Sequence, residues 1–273
     1  MLMNLSNILY TKIKILSIVV LLPLSLFSQN GGFTGMGNSS VMLYDFWAIY
    51  NNQAGLSDID RPEVGICYEN NYALWETGKQ SAGFVLPTKT GNFALSANRF
   101  GYSGYAENSI GLAFARNLGK LFSASIQFDY LFYTQSENYG YKGALLFQVG
   151  LISRPIENLQ IGLHVYNPGH VTLEDYDDKR VPTVIRFGLS YYFSEQVLFS
   201  VETEKDIDKE NRFKTGLQYE IIDGFFIRTG FLTNPNQFSL GIGYALNDFT
   251  VDIATTTHES LPLSTQISFK YRF

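Results

Sequence analysis

The final run of the chain, STQISFKYRF, sets Ile267, Phe269, Tyr271 and Phe273 on one side of an extended backbone and Gln266, Ser268, Lys270 and Arg272 on the other. Alternation of this kind marks a β-strand whose two faces meet different surroundings. It recurs from Glu63 onward. In FSASIQFDYLF, Phe122, Ala124, Ile126, Phe128, Tyr130 and Phe132 interleave with Ser123, Ser125, Gln127 and Asp129. NLQIGLHVY, RFKTGLQYEI and QFSLGIGYAL repeat the pattern. Each run is about the ten residues that a tilted strand needs to cross a bilayer. Such runs predict about fourteen strands. Their expected starts are Glu63, Gln80, Asn92, Asn108, Leu121, Gly143, Asn158, Thr183, Gln196, Arg212, Gly224, Asn236, Asp248 and Ser264.

The connections alternate as well. PTKTG, RNLGK, SRPIEN, FSEQ, IIDG and LND are short, whereas NNYALWETGK, RFGYSGYAE, TQSENYGYK and YNPGHVTLEDYDDKRVP are longer or more polar. Tight turns on one rim and larger loops on the other are the pattern of an outer-membrane barrel, with both chain ends on the periplasmic side. A soluble β-sandwich would alternate too. Here, however, the apolar face is aromatic in nearly every strand, and the other is small, glycine-laden and charged. The fold expected is therefore all-β, a transmembrane antiparallel β-barrel spanning residues 63–273.

Composition sharpens this. Only 16% of the 273 residues are charged, 15% are aromatic, and the formal net charge is −5. Low charge with many aromatics argues against disorder, and the acidic balance against a nucleic-acid partner. Lys12 and Lys14 precede the apolar run Ile15 to Phe27, which is followed by the small Ser28. That reads as a signal peptide over residues 1–28, cleaved near Ser28, with a retained anchor as the alternative. A single cysteine, Cys67, leaves no intramolecular disulfide and reads as a small buried filler.

By the same parity, Asp129, His164, Arg186, Glu202, Glu204, Lys214, Glu220, Arg228, Asp252, Lys270 and Arg272 point into the lumen. Glu202 and Glu204 are expected to face Lys214, and Glu220 to lie near Arg228, as ion pairs filling a narrow barrel. Inward Gly111, Gly162, Gly188, Gly216, Gly230, Gly241 and Gly243 leave room for a close neighbour. Residues 29–62 do not alternate. They read as a glycine-rich start, a short helix around Asp45 to Tyr50, and a turn at Gln53 to Gly55. Their apolar Met42, Leu43, Phe46, Trp47 and Ile49 need a dry site, which a hatch inside the lumen would supply. A periplasmic tail is the alternative.

Within that segment, GMGNSSVMLYDFWAIYNNQAGLS resembles the N-terminal hatch of the FadL-like barrels, through Met36, Gly37, Trp47, Asn52, Ala54, Gly55 and Leu56. Gln53 stands where that family usually has proline. YNPGHVTLEDYDDKRVPTVIRFGLSYYF and the last three strands resemble the PorV/PorQ-type proteins of the type IX secretion system, matched at Asn167, Gly169, Pro182, Thr183, Arg186, Gly188, Ser190 and Tyr191. The resemblance implies carriage rather than catalysis. Secreted or surface-attachment proteins would be bound through the outer loops, chiefly Asn167 to Pro182, including Asn167, Gly169, Glu174, Asp175, Asp177 and Asp178. Tyr271 and Phe273 are similar to the C-terminal signal read by the barrel-insertion machinery.

No catalytic motif is present. His164, His170 and His258 lack metal-ligand spacing with one another or with Cys67, and no nucleophile elbow or P-loop occurs. DYDDK and DIDKE read as solvated loop charge rather than calcium sites. No enzyme, cofactor or metal is expected, and the partners are outer-membrane lipid and protein. The competing expectations are a secretion shuttle or scaffold, a FadL-like channel for small hydrophobic molecules, and a purely structural barrel. The channel would need an apolar pocket near the hatch and a lateral opening at a kinked strand.

Overall fold

The computed structural model describes residues 33–102, 104–135, 142–172 and 181–273. Fourteen antiparallel strands form a closed barrel. The first seven are β1 (Glu63–Asn70), β2 (Gly78–Pro87), β3 (Asn92–Tyr102), β4 (Tyr105–Leu118), β5 (Phe122–Gln135), β6 (Lys142–Ile156) and β7 (Leu159–Tyr166). There follow β8 (Val184–Ser194), β9 (Val197–Asp206), β10 (Arg212–Ile222), β11 (Phe225–Leu232), β12 (Gln237–Leu246), β13 (Phe249–Thr256) and β14 (Ser264–Arg272). Every expected start lies within three residues of an observed one. The signal segment lies outside the described residues.

Each strand pairs with its sequence neighbours. Closure comes from β1 on β14, running from Glu63↔Arg272 to Asn70↔Thr265. This pairing leaves no unsatisfied sheet edge, the condition for a sheet to stand in hydrocarbon. Tight hairpins need backbone at positive φ. Gly224 (φ 75°) supplies it between β10 and β11, and Asn247 (φ 52°) between β12 and β13. Register shifts occur in β6–β7, β8–β9 and β10–β11, all next to the rim that carries the chain ends. The pairings of β2, β3 and β4 run without a shift.

The two faces differ as the alternation requires. Ile66, Leu112, Leu145 and Phe238 are more than half exposed on the outer wall. The inner wall buries Ser96, Gln127, Asp129, Gln148, His164, Arg186, Ser200, Glu202, Lys214 and Asp252. In a soluble protein, such an apolar outer belt would be a gross exposure of hydrophobic surface.

Residues 33–58 supply most of the main apolar cluster and lie against the inner wall in three 3₁₀ turns: Thr34–Met36, Phe46–Tyr50 and Gln53–Asp58. Met36, Val41, Met42, Phe46, Ile49 and Leu56 are fully buried. Side-chain caps hold the turns. Asp45 accepts from the Trp47 amide, and Asn52 from the Ala54 amide. The expected turn at Gln53 to Gly55 is thus a longer helical piece, because Asn52 caps it. Inner-wall glycines make room for this backbone. A Cβ at Gly162 would collide with residues 41–42, and one at Gly230 with residues 36–37. Gly111 and Gly243 instead make room for wall side chains, Asp129 and Gln127 at the first, Asp252 and Arg228 at the second.

Candidate functional site

Residues 33–58 close the lumen and are latched to its wall at three levels. At the first, the Ser40 and Val41 amides donate to Glu202 Oε2 at 2.8 and 2.9 Å. The other carboxylate oxygen of Glu202 accepts from Lys214 Nζ at 2.9 Å. Lys214 also reaches Glu204 at 2.8 Å, and Arg186 pairs with Glu204 at 3.0 Å. These pairs span adjacent β8, β9 and β10, whose register sets Arg186 opposite Glu204 and Glu202 opposite Lys214. A buried carboxylate that accepts two backbone amides and an ammonium has its charge satisfied, as burial demands.

The middle level is made of amides. Asn52 Nδ2 donates to the Val41 carbonyl at 2.7 Å, tying the segment to itself. Gln53 reaches Gln148, whose Nε2 donates to Asp129 at 2.6 Å and whose Oε1 meets His164 Nε2 at 3.0 Å. His164 is therefore part of a wall network rather than a lone ligand.

Toward the rim of the chain ends, Lys270 Nζ meets Asp45 Oδ2 at 2.9 Å. Arg154 forks onto both oxygens of Asp58 and lies over the Tyr44 ring, 4.2 Å from its centroid. The Tyr44 hydroxyl shares a hydrogen bond with Ser123. Burial pushes its pKa upward, so it stays neutral at ordinary pH.

The other side of residues 33–58 floors a vestibule of about 220 Å³ at the opposite rim. Its lining mixes Phe100, Val184 and Leu232 with Arg186, Glu204 and Lys214, over Thr34 and Asn38 of the floor. His258 borders it, held by Gln237 and Ser264 at 2.8 Å each and edge-on to Tyr72. Partial burial lowers its pKa, so this imidazole is neutral at pH 7.

The residues singled out in the sequence divide accordingly. Met36, Trp47, Asn52, Gln53, Ala54, Gly55 and Leu56 are buried inside the barrel, and Gly37 (φ 63°) turns the chain after the first 3₁₀ turn. Arg186, Glu202, Glu204, Lys214 and Lys270 are brought together with one another or with residues 33–58. Arg272 is half-buried at the rim. Glu220 is not beside Arg228. Its carboxylate accepts from the Gly224 amide at 2.8 Å, and Arg228 instead meets Asp252 and Gln218. Asn167 lies at the base of its loop. It is buried and clamps the loop base, donating to the Val181 carbonyl at 2.8 Å and accepting from the Val171 amide at 3.0 Å. Gly169 is exposed. Glu174, Asp175, Asp177 and Asp178 lie outside the described residues. Tyr271 packs on Phe249 and Phe273, and Phe273 is exposed at the rim.

Sequence reasoning missed Asp45, Asp58 and Arg154. Two acids in an otherwise apolar segment were the available signal. It also missed the buried charges Glu69 and Lys79 on neighbouring β1 and β2, and Glu107 on β4. The lateral opening expected of a FadL-like channel has no counterpart in a shifted or broken pairing of β2–β4.

The fold has close company. The Ralstonia pickettii toluene transporter TbuX superposes with a TM-score of 0.72 at 11% identity, covering 92% of this chain and 100% of that one. The P. putida toluene transporter TodX gives 0.65 at 10% identity, covering 90% and 99%. A Pseudomonas aeruginosa FadL homologue gives 0.59 at 13% identity, covering 90% and 98%. At such identities the likeness is one of fold. Among curated proteins no sequence relative is found. The family model described as "Putative MetA-pathway of phenol degradation" matches residues 9–218, most of the chain, and the chain belongs to that family.

Proposed function

We propose that this protein is an outer-membrane channel of the FadL type for small, largely hydrophobic molecules, exported by a cleaved signal over residues 1–28. Its barrel stands in lipid through the aromatic outer belt, and Tyr271 and Phe273 serve its insertion. The observation that carries the reading is the vestibule floored by residues 33–58, whose lining is part aromatic and aliphatic, part polar. A ring compound with one polar group suits such a surface, its apolar edge against Phe100, Val184 and Leu232 and its polar group toward Arg186, Glu204 and Lys214. The toluene transporters that share the fold, and the family to which the chain belongs, support the same class. The test is uptake of radiolabelled toluene at low concentration by whole cells with an intact outer membrane, with and without the gene. Slower uptake in the deletion strain, restored by the gene, is expected, and equal uptake would end the channel reading.

A second reading is the PorV/PorQ-like shuttle or scaffold, binding secreted or surface-attachment proteins through residues 167–182. The observation favouring it is the tight latching of residues 33–58 to the inner wall, together with pairings of β2, β3 and β4 that run without a shift. Deleting the gene separates the two. Loss of anchored surface proteins with unchanged hydrocarbon uptake would support the scaffold.

A further inference from the structure

We propose that the outer wall over β1–β4 holds an anionic phospholipid, with an acyl chain in a groove above Ala82 and Ala97 and the net-negative headgroup on Arg99. The proposal rests on the membrane reading above. The groove, of about 570 Å³, exists because two of the smallest side chains sit side by side where the rest of the belt is bulky. Ala82 pairs with Ala97, with Ile66 on one flank and Ile110 on the other. These aliphatic walls suit a flexible hydrocarbon chain.

One step along the strands, the wall changes character. Gln80 pairs with Arg99, and Arg99 with Asn108, giving three polar side chains in a row at the groove's end. Arg99 is exposed. Its hydrogen bond is a long one, 3.5 Å to Asn108 Oδ1, and no carboxylate pairs with it among the described residues. It stands on β3 where the outward apolar positions Phe93, Leu95 and Ala97 give way to polar ones. A guanidinium at that edge of the apolar wall suits a lipid headgroup, and its planar fork matches phosphate. The exposed amide of Gln80 adds a donor on one side, while Asn108 is buried and its amide donates to the Ala106 carbonyl. A second outer groove, of about 330 Å³ between Phe187, Phe213 and Phe231, has no such row of polar groups, so it provides an internal comparison.

The experiment is native mass spectrometry of the detergent-purified barrel, titrated separately with dioleoyl phosphatidylglycerol and dioleoyl phosphatidylcholine. The wild type is expected to prefer the anionic lipid by about tenfold. Arg99→Gln should bring that ratio close to one while leaving phosphatidylcholine binding in place. Ala97→Phe should fill the groove and weaken both lipids. Arg99→Lys, which keeps charge but not the fork, should fall between wild type and Arg99→Gln, and it carries the test if the glutamine variant does not fold. An undiminished anionic preference in the Arg99 variants, or unchanged binding of both lipids by Ala97→Phe, overturns the site. A protein that is monodisperse without detergent overturns the membrane reading itself, whereas a detergent-dependent barrel with no lipid preference overturns only this one.

Discussion

Glu202 is the residue on which the latch turns, because its two oxygens serve different elements. One holds the Ser40 and Val41 amides and the other holds Lys214. Removing the carboxylate strands two buried N–H groups and takes one anionic partner from Lys214. Glu202→Ala is therefore expected to cost about 3 kcal/mol, read by urea unfolding in detergent, with faster amide exchange at Ser40 and Val41. Glu202→Gln should lose less, since its carbonyl still accepts. His258 gives a pH dependence of known sign. Its pKa in the folded protein lies below the ordinary imidazole value, so the unfolded chain takes up the proton first as pH falls. The contribution is complete above about pH 6.5 and is lost as pH drops through and below that value. Fluorescence of a probe beside Tyr72 should report loosening of the β13–β14 loop on acidification. In His258→Gln that step should be absent.

At the scale of elements, the strands were legible because period-two patterning with unlike faces has one structural solution, and boundary errors stay within the reach of a turn. The burial of residues 33–58 was legible in outline, from apolar side chains without a strand and a wall rich in glycine. Individual pairs were less so. Asp45 and Lys270 are 225 positions apart, and their meeting depends on how the barrel closes, which no local pattern encodes. The expected pairing of Glu220 with Arg228 fails for a local reason. Asp223–Gly224 forms a tight turn that draws Glu220 onto the Gly224 amide, and Gly243 on β12 leaves room for Arg228 of β11 to reach Asp252 of β13. Glycine here decides which elements touch. Gly230→Val follows from that, since its side chain would collide with the Met36–Gly37 backbone. A cost of about 1–3 kcal/mol is expected. Limited proteolysis should find cleavage near residues 34–38 while the heat-modifiable gel mobility of the closed barrel persists.

For the whole molecule, the wall and its filling answer to different forces. Closure is carried by continuous hydrogen bonding around fourteen strands, β1 on β14 included, and residues 33–58 contribute nothing to that ring. What they contribute is most of the main apolar cluster: without Met36, Val41, Met42, Phe46, Trp47 and Ile49, the charged and amide groups of Arg186, Glu202, Lys214, Gln148 and Asp129 would face the lumen, with Phe100, Leu131 and Leu146 the main apolar side chains left on the wall. A polar, charged lining of that kind is stable against water, so it would fill rather than collapse. Deleting residues 34–58 should accordingly leave a folded barrel that behaves as an open pore. Liposome swelling in a disaccharide is the measure, with the deletion variant expected to exceed wild type by at least about tenfold. Equal swelling of the two would mean that the segment does not seal the lumen. Failure of the variant to reach the heat-modifiable state would mean that the wall needs its filling to close. Either result would remove the basis for treating residues 33–58 as a hatch, because a hatch must be separable from the frame that it closes.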